Sequence, residues 1–249
     1  MIKLQNIQKV FNKGQVNEVS ALNDVTLDIA RGEFVVLVGS NGSGKTTLLN
    51  IISGAESPTT GTLLLNNSDV TKLPEYKRSQ WIARVFQNPL SGTAPDLSIL
   101  DNFRLAALRT TGKKPIIGIN AAFKKLVQDR IATLNMGLEN KVDQAMGTLS
   151  GGQRQALTLL MSVMDHTDIL LLDEPTAALD PRTANTILET ADKIVKEYKL
   201  TAVLITHNLK DAHQYGNRII QMAEGKVLRD LNATAKAGLQ LPDMFGWFL

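Results

Sequence analysis

With 249 residues, 43% of them apolar and 20% charged, the chain has ample material for a core and none of the bias of a disordered protein. Its 27 Lys and Arg against 24 Asp and Glu leave a net charge of +3, too small an excess to argue for a nucleic-acid partner. The absence of cysteine excludes disulfides, iron–sulfur clusters and thiol catalysis.

The first residues, Met1 to Asn6, alternate polar and apolar and read as a strand rather than a signal peptide. Strands over Ile2–Phe11 and Val25–Ile29 make an N-terminal antiparallel layer. Arg31-Gly32-Glu33 turns into Phe34–Val38, a continuous apolar run suited to a central buried strand. A helix over Lys45–Ser53 follows, with Gly54 placed to cap it. Ile82–Phe86, Asp168–Leu172 and Thr201–Thr206 are further strands. Between Gln87 and Met164 the pattern is helical. Ser98-Ile99-Leu100-Asp101 has the form of a capping box opening a helix towards Arg109, and Phe123, Val127, Ile131 and Leu134 share one apolar face. Pro181 starts a helix reaching about Tyr198. Asn217–Ala223, the turn Glu224-Gly225-Lys226 and Val227–Leu231 form a closing hairpin. The tail to Leu249 carries no pattern. No linker or repeat divides the chain, so residues 1–249 read as one α/β unit with a helical lobe, about 88–164, inserted in the sheet. The longest apolar stretches, such as Ile169–Leu172, are too short to cross a bilayer, so a membrane role has to come through a partner.

Three short segments carry chemistry. Gly39-Ser40-Asn41-Gly42-Ser43-Gly44-Lys45-Thr46 fits the phosphate-loop pattern, between an apolar strand and a helix. Its glycines let N–H groups turn inward around phosphate oxygens, and the helix N-terminus adds positive potential. Lys45 is suited to β- and γ-phosphate oxygens and the Thr46 hydroxyl to Mg²⁺, with Thr47 completing the nucleotide-binding set. Ile169–Leu172 then delivers Asp173 and Glu174 at a strand end. Asp173 is suited to Mg²⁺ through water, and Glu174 to taking a proton from the attacking water. Leu149-Ser150-Gly151-Gly152-Gln153 is the third segment, a turn of N–H groups entering a helix.

In this pentapeptide, LSGGQ, the chain resembles the ATP-binding cassette (ABC) ATPases, and the resemblance runs over nearly its whole length. It implies a P-loop NTPase cassette with an N-terminal antiparallel β layer, a RecA-like core and an inserted helical subdomain. It assigns Gln87 to the Q-loop, which senses Mg²⁺ and the transmembrane partner, and Ala178-Leu179-Asp180 to the D-loop. His207 takes the place of the switch histidine at the γ-phosphate, and Phe11 that of the aromatic stacked on adenine. His166 and His213 match no motif and read as surface residues; Leu157, Leu159, Leu160 and Met161 read as packing of the lobe.

The resemblance further implies a head-to-tail dimer, of two copies or with a paralogous subunit, holding two ATP molecules with Mg²⁺. Lys45, Thr46, Asp173, Glu174 and His207 of one subunit face Ser150 and Gly152 of the other. One phosphate loop and one signature per chain make dimerisation necessary for a complete site. The expected role is the ATPase of a transporter with separate permease subunits and a separate substrate-binding protein, cytoplasmic and peripheral on the inner face of the membrane. The permease contact is expected around Gln87–Asp101, near Leu97 and Ile99. Gly92–Ile99, Ala156–Met161 and Tyr215–Arg218 look like the ATPases of tryptophan- or tyrosine-type small-molecule importers. Lipid or lipoprotein export and soluble assembly work, as on iron–sulfur scaffolds, stand as alternatives.

Overall fold

The computed structural model describes residues 1–110, 118–177 and 179–248. Strands β1 (Ile2–Phe11) and β2 (Val19–Ile29) pair antiparallel, and β4 (Thr60–Leu65) and β5 (Ser68–Asp69) complete a four-stranded layer in the order β2-β1-β4-β5. Between them in the chain come β3 (Phe34–Val38) and α1 (Lys45–Ser53), which belong to the centre of the molecule. After the short helix α2 (Glu75–Arg78) the chain runs through β6 (Ile82–Val85) into the helical segment: α3 (Ile99–Ala106), α4 (Ala121–Ala132) and α5 (Gly151–Ser162). It returns as β7 (Ile169–Asp173), α6 (Pro181–Glu197), β8 (Thr201–Ile205) and α7 (Leu209–Gln214). The hairpin β9 (Arg218–Ala223) and β10 (Lys226–Leu231) and two short helices, α8 (Ala233–Ala237) and α9 (Leu241–Phe245), close the fold.

The second sheet has the order β10-β9-β3-β8-β7-β6, parallel except for the β9–β10 hairpin. Its central strands are buried along their whole length, as expected for strands covered on both faces. Their side chains divide with a period of two. Val35, Leu37, Ile169, Leu171, Val203 and Ile205 join α1 and the antiparallel layer in one core. Val36, Val38, Leu170, Leu172, Ala202 and Leu204 join the helical segment and α6 in the other.

Local signals work as the sequence indicates. Gly54 caps α1 at φ 91°, and its N–H donates to the Asn50 carbonyl. Ser98 and Asp101 form the capping box of α3, which ends at Ala106 rather than near Arg109. Asp180 accepts from the Arg182 and Thr183 amides with Pro181 in the first turn of α6. Val127 and Ile131 of α4 are fully buried, with Leu134 just beyond the helix. β2 starts at Val19 rather than Val25, and β4, β5 and α2 add elements to those read from the sequence. The tail is docked: Met244 is buried, and the Gln221 side-chain amide donates to the Trp247 carbonyl.

Two arginines hold carbonyls in the interior. Arg78, 1% exposed, donates to the carbonyls of Leu73, Thr71, Ile51 and Ile52, the last two at the C-terminal end of α1. A cation there satisfies orphan carbonyls and complements the helix dipole. Arg154 of α5 does the same for the turn before its own helix, donating to Met146, Gly147 and Leu149.

Candidate functional site

Because β3, β8, β7 and β6 are adjacent and parallel, their C-terminal ends open on one edge. The segment 39–44 leaves β3, His207 lies just beyond β8, Asp173 and Glu174 end β7, and Gln87 follows β6. Ligands of open α/β sheets bind at such an edge.

Gly39, Gly42 and Gly44 have φ values of 158°, 79° and 98°. At Gly44 a Cβ would lie 2.6 Å from the Ala21 carbonyl oxygen, so both the backbone conformation and the neighbouring β2 require glycine. Ser43 N–H donates to the Ser40 carbonyl. Among the described residues the N–H groups of Gly42, Gly44, Lys45 and Thr46 have no acceptor, leaving an anion-receptive nest at the start of α1. Lys45 is buried and folded over this loop, its Nζ 2.8 Å from the Gly39 carbonyl oxygen, 2.9 Å from that of Ser40 and 3.3 Å from Ser43 Oγ. Burial pushes its ammonium pKa down, while the carboxylates of Glu174 and Asp173 oppose the shift.

Asp173 is buried, with one carboxylate oxygen 3.4 Å from Thr46 Oγ1 and the other 2.6 Å from Arg84 Nη2. Glu174 stands at φ 45°, a conformation that costs a non-glycine residue energy and turns the chain sharply off β7. The Glu174 N–H donates to the Ile205 carbonyl at 3.2 Å, and Glu174 Oε2 lies 3.4 Å from His207 Nδ1. Glu174 is largely covered while His207 is 62% exposed, so the pair sits at the mouth of the edge. Asp211, one turn along α7, has its carboxyl pushed up by burial, with His207 opposing.

The structure thus brings Lys45, Thr46, Asp173, Glu174 and His207 together. Gln87 is exposed and makes no side-chain hydrogen bond among the described residues. Phe11 ends β1 outside both cores, with Lys9 Nζ 4.7 Å from its ring centroid. Ser150 caps α5 in a capping box with Gln153, and no hydrogen bond joins this turn to the phosphate loop among the described residues. Leu179 and Asp180 precede α6; Ala178 lies outside the described residues.

A family model described as "ABC transporter" matches residues 22–177. The chain belongs to the ABC transporter family. It is 38% identical over 251 residues to the tyrosine transport ATP-binding protein of Clostridioides difficile (strain R20291), spanning 100% of this chain and 98% of that one. It is 33% identical to the phosphonates import ATP-binding protein of Lactococcus lactis subsp. lactis (strain IL1403), spanning 92% of each. Among solved structures, the dimeric ATP-binding cassette MJ0796 in a post-hydrolysis state with ADP and Pi matches at TM-score 0.80 and 31% identity, covering 94% of this chain and 99% of that chain. The P-loop cassette fold, ATP binding and ATPase activity read from the motifs accordingly hold for this ABC protein.

In this cassette the signature glycines are unequal. A Cβ on Gly151 would meet only ordinary contacts, whereas one on Gly152 would lie 2.3 Å from Thr183 Cγ2 of α6. Gly152→Ala is therefore expected to lower stability by about 1–3 kcal/mol through overpacking. Adding Thr183→Ser, which removes that methyl, restores the loss in urea unfolding. A destabilisation that the second change leaves untouched would refute the packing explanation.

Three buried arginines, Arg78, Arg84 and Arg154, escaped sequence reasoning, since a single Arg in a mixed segment reads as a surface charge. The permease-contact expectation divides. Leu97 is 42% exposed, but Ile99 is fully buried in the helical core, so a charge at Ile99 would break packing rather than probe a surface. Beside Leu97, Gly92, Thr93, Asn102 and Leu105 line a groove of about 470 Å³. His166 and His213 lie on the surface, His213 Nε2 contacting the Leu239 carbonyl at 2.9 Å. Leu157, Leu159, Leu160 and Met161 are buried in the helical core.

Proposed function

We propose that this ABC ATPase drives import of a small amino-acid-type solute through separate permease subunits at the inner face of the cytoplasmic membrane. The end-to-end similarity to a tyrosine transport ATP-binding protein supports it most. Among the described residues no helix is long and apolar enough to cross a membrane, in keeping with membrane passages supplied by a partner. The groove beside Leu97, lined by Gly92, Thr93, Asn102 and Leu105 beyond Gln87, is the surface offered for that partner. A separate substrate-binding protein belongs to the same reading, and residues 1–249 act as one nucleotide-binding domain whose helical segment, about 88–164, is its moving lobe.

The free amides of the loop Gly39–Gly44 and the ammonium of Lys45 take the β- and γ-phosphate oxygens of ATP. A hydroxyl and a carboxylate oxygen 3.4 Å apart, Thr46 and Asp173, form the hard-oxygen donor set that Mg²⁺ prefers. Gln87 joins them as the loop beyond β6 moves inward. Bound there, Mg²⁺ supplies neutralising charge to the phosphate oxygens. Glu174 takes the proton of the attacking water, and His207 holds Glu174 while facing the γ-phosphate. The free N–H groups of Gly151 and Gly152 at the start of α5, with Ser150 and Gln153, close on ATP bound to the other subunit. That no hydrogen bond joins the signature turn to the phosphate loop among the described residues is in keeping with this head-to-tail dimer. ATP then bridges the subunits, and hydrolysis removes the bridge.

Co-expression with a partner permease, followed by reconstitution in vesicles, tests the proposal. The expected result is membrane recovery of the complex and ATP-dependent uptake of tyrosine or a related amino acid. Recovery only from the soluble fraction on a non-membrane scaffold, or uptake of methionine or a phosphonate instead, would overturn the corresponding part.

Phe11 stacks on adenine in this reading. Phe11→Ala is expected to weaken ATP binding by about 1 kcal/mol or more, and Phe11→Tyr much less. Isothermal titration reads the difference; unchanged affinity in both variants would leave Phe11 with a structural role alone.

A further inference from the structure

Arg84 differs from the other two buried arginines in what it holds. Arg78 and Arg154 direct their donors at backbone carbonyls, as structural clamps do. Arg84, on β6 beside β7, has one hydrogen-bond acceptor for its guanidinium among the described residues: the Asp173 carboxylate, at 2.6 Å. Its Nε is buried without a partner, and its other neighbour is the Phe86 ring, 4.7 Å from the guanidinium carbon. Both charged side chains are about nine-tenths buried, 10% and 9% exposed. A guanidinium left partly unsatisfied beside one carboxylate is there for its charge, since as a clamp it is incomplete.

We infer that Arg84 is the counter-ion and positioning residue of Asp173, holding one oxygen so that the other faces Thr46, and that its charge weakens metal binding at that oxygen. The inference rests on the assignment of Thr46 and Asp173 to Mg²⁺. Two effects of Arg84 on the metal oppose each other. Fixing the carboxylate rotamer favours metal binding by the small entropy of one side chain. A fixed positive charge behind the same carboxylate repels a dication in a partly dehydrated site, and this effect is the larger because it acts on two charges at low effective dielectric. Arg84 therefore keeps Asp173 aimed before the metal arrives, and keeps the metal exchangeable afterwards. Two residues further along, Phe86 leads directly into the Gln87 segment, so the same charge sits where movement of that segment alters it.

The test compares wild type, Arg84→Gln and Arg84→Lys as full chains. Glutamine keeps a hydrogen-bond donor for Asp173 without charge; lysine keeps the charge. Affinity for a fluorescent non-hydrolysable ATP analogue is measured in Mn²⁺ and in EDTA, and the ratio of the affinity in Mn²⁺ to that in EDTA reads the metal's contribution independently of turnover. The ratio is expected to rise about tenfold in Arg84→Gln and to stay near wild type in Arg84→Lys. Arg84→Met provides the uncharged reading should the glutamine variant not fold. An unchanged or lower ratio in the uncharged variant, or a lysine variant that matches it, would overturn the inference and leave the metal assignment standing. A wild-type ratio of one would overturn both.

Discussion

Glu174→Gln is expected to bind ATP with little loss and to hydrolyse it about 10²–10⁴-fold more slowly. The residue is largely covered and held at two points, its backbone N–H donating to the Ile205 carbonyl and its carboxylate 3.4 Å from His207 Nδ1. Glutamine fits the same space and keeps the contact to His207, so the fold is not at issue. It has no basic oxygen to take the proton from water, which is the role proposed for Glu174. The backbone at φ 45° is held by the turn off β7 rather than by the carboxylate, so the substitution leaves it in place. Blocked hydrolysis should trap the ATP-bridged pair of subunits, visible as an ATP-dependent dimer on size-exclusion chromatography, with phosphate release reporting the rate. Near-normal release would move the general base elsewhere, with His207 the next residue to replace.

Lys45→Ala is expected to reduce ATP hydrolysis by at least about 10²-fold, with ATP affinity lowered as well. Its ammonium spans the loop, joined to Gly39, Ser40 and Ser43. The same donors are the side-chain cation available for phosphate oxygens inside the nest, where burial makes each charge-assisted bond strong. Truncation also leaves the Gly39 carbonyl without that partner, so a modest drop in unfolding temperature accompanies the loss. Nucleotide titration and phosphate release measure the two effects separately. Wild-type turnover in this variant would refute the role of the loop.

Much of this site was legible because its chemistry is local in sequence. Eight consecutive residues, Gly39 to Thr46, suffice for the phosphate nest, and the apolar run before Asp173 announces a strand that ends in an acid. Parallel pairing of β3, β8, β7 and β6 then does the assembly, which no local pattern encodes. The capping box at Ser98 and the Gly54 cap were legible for the same reason. β4 was not: its sequence Thr-Gly-Thr-Leu-Leu-Leu carries weak alternation, and it becomes a strand by pairing with β1 from Ile2 to Gln8. The extension of β2 back to Val19 likewise rests on its pairing with Phe11. Arg78 and Arg84 were illegible because the groups they satisfy are brought to them by tertiary structure, the Ile51 and Ile52 carbonyls to Arg78 and the Asp173 carboxylate to Arg84.

The strict alternation of side chains across the central sheet has a consequence for how this sequence tolerates change. Leu48 and Leu171 lie in one core, Leu157 and Leu170 in the other, and the backbone of the sheet stands between them. Losses from substitutions on opposite faces should add, whereas those on one face should show epistasis through shared voids. A lineage can therefore remodel the helical face to suit a new membrane partner while the face that supports α1 and the phosphate loop drifts on its own schedule.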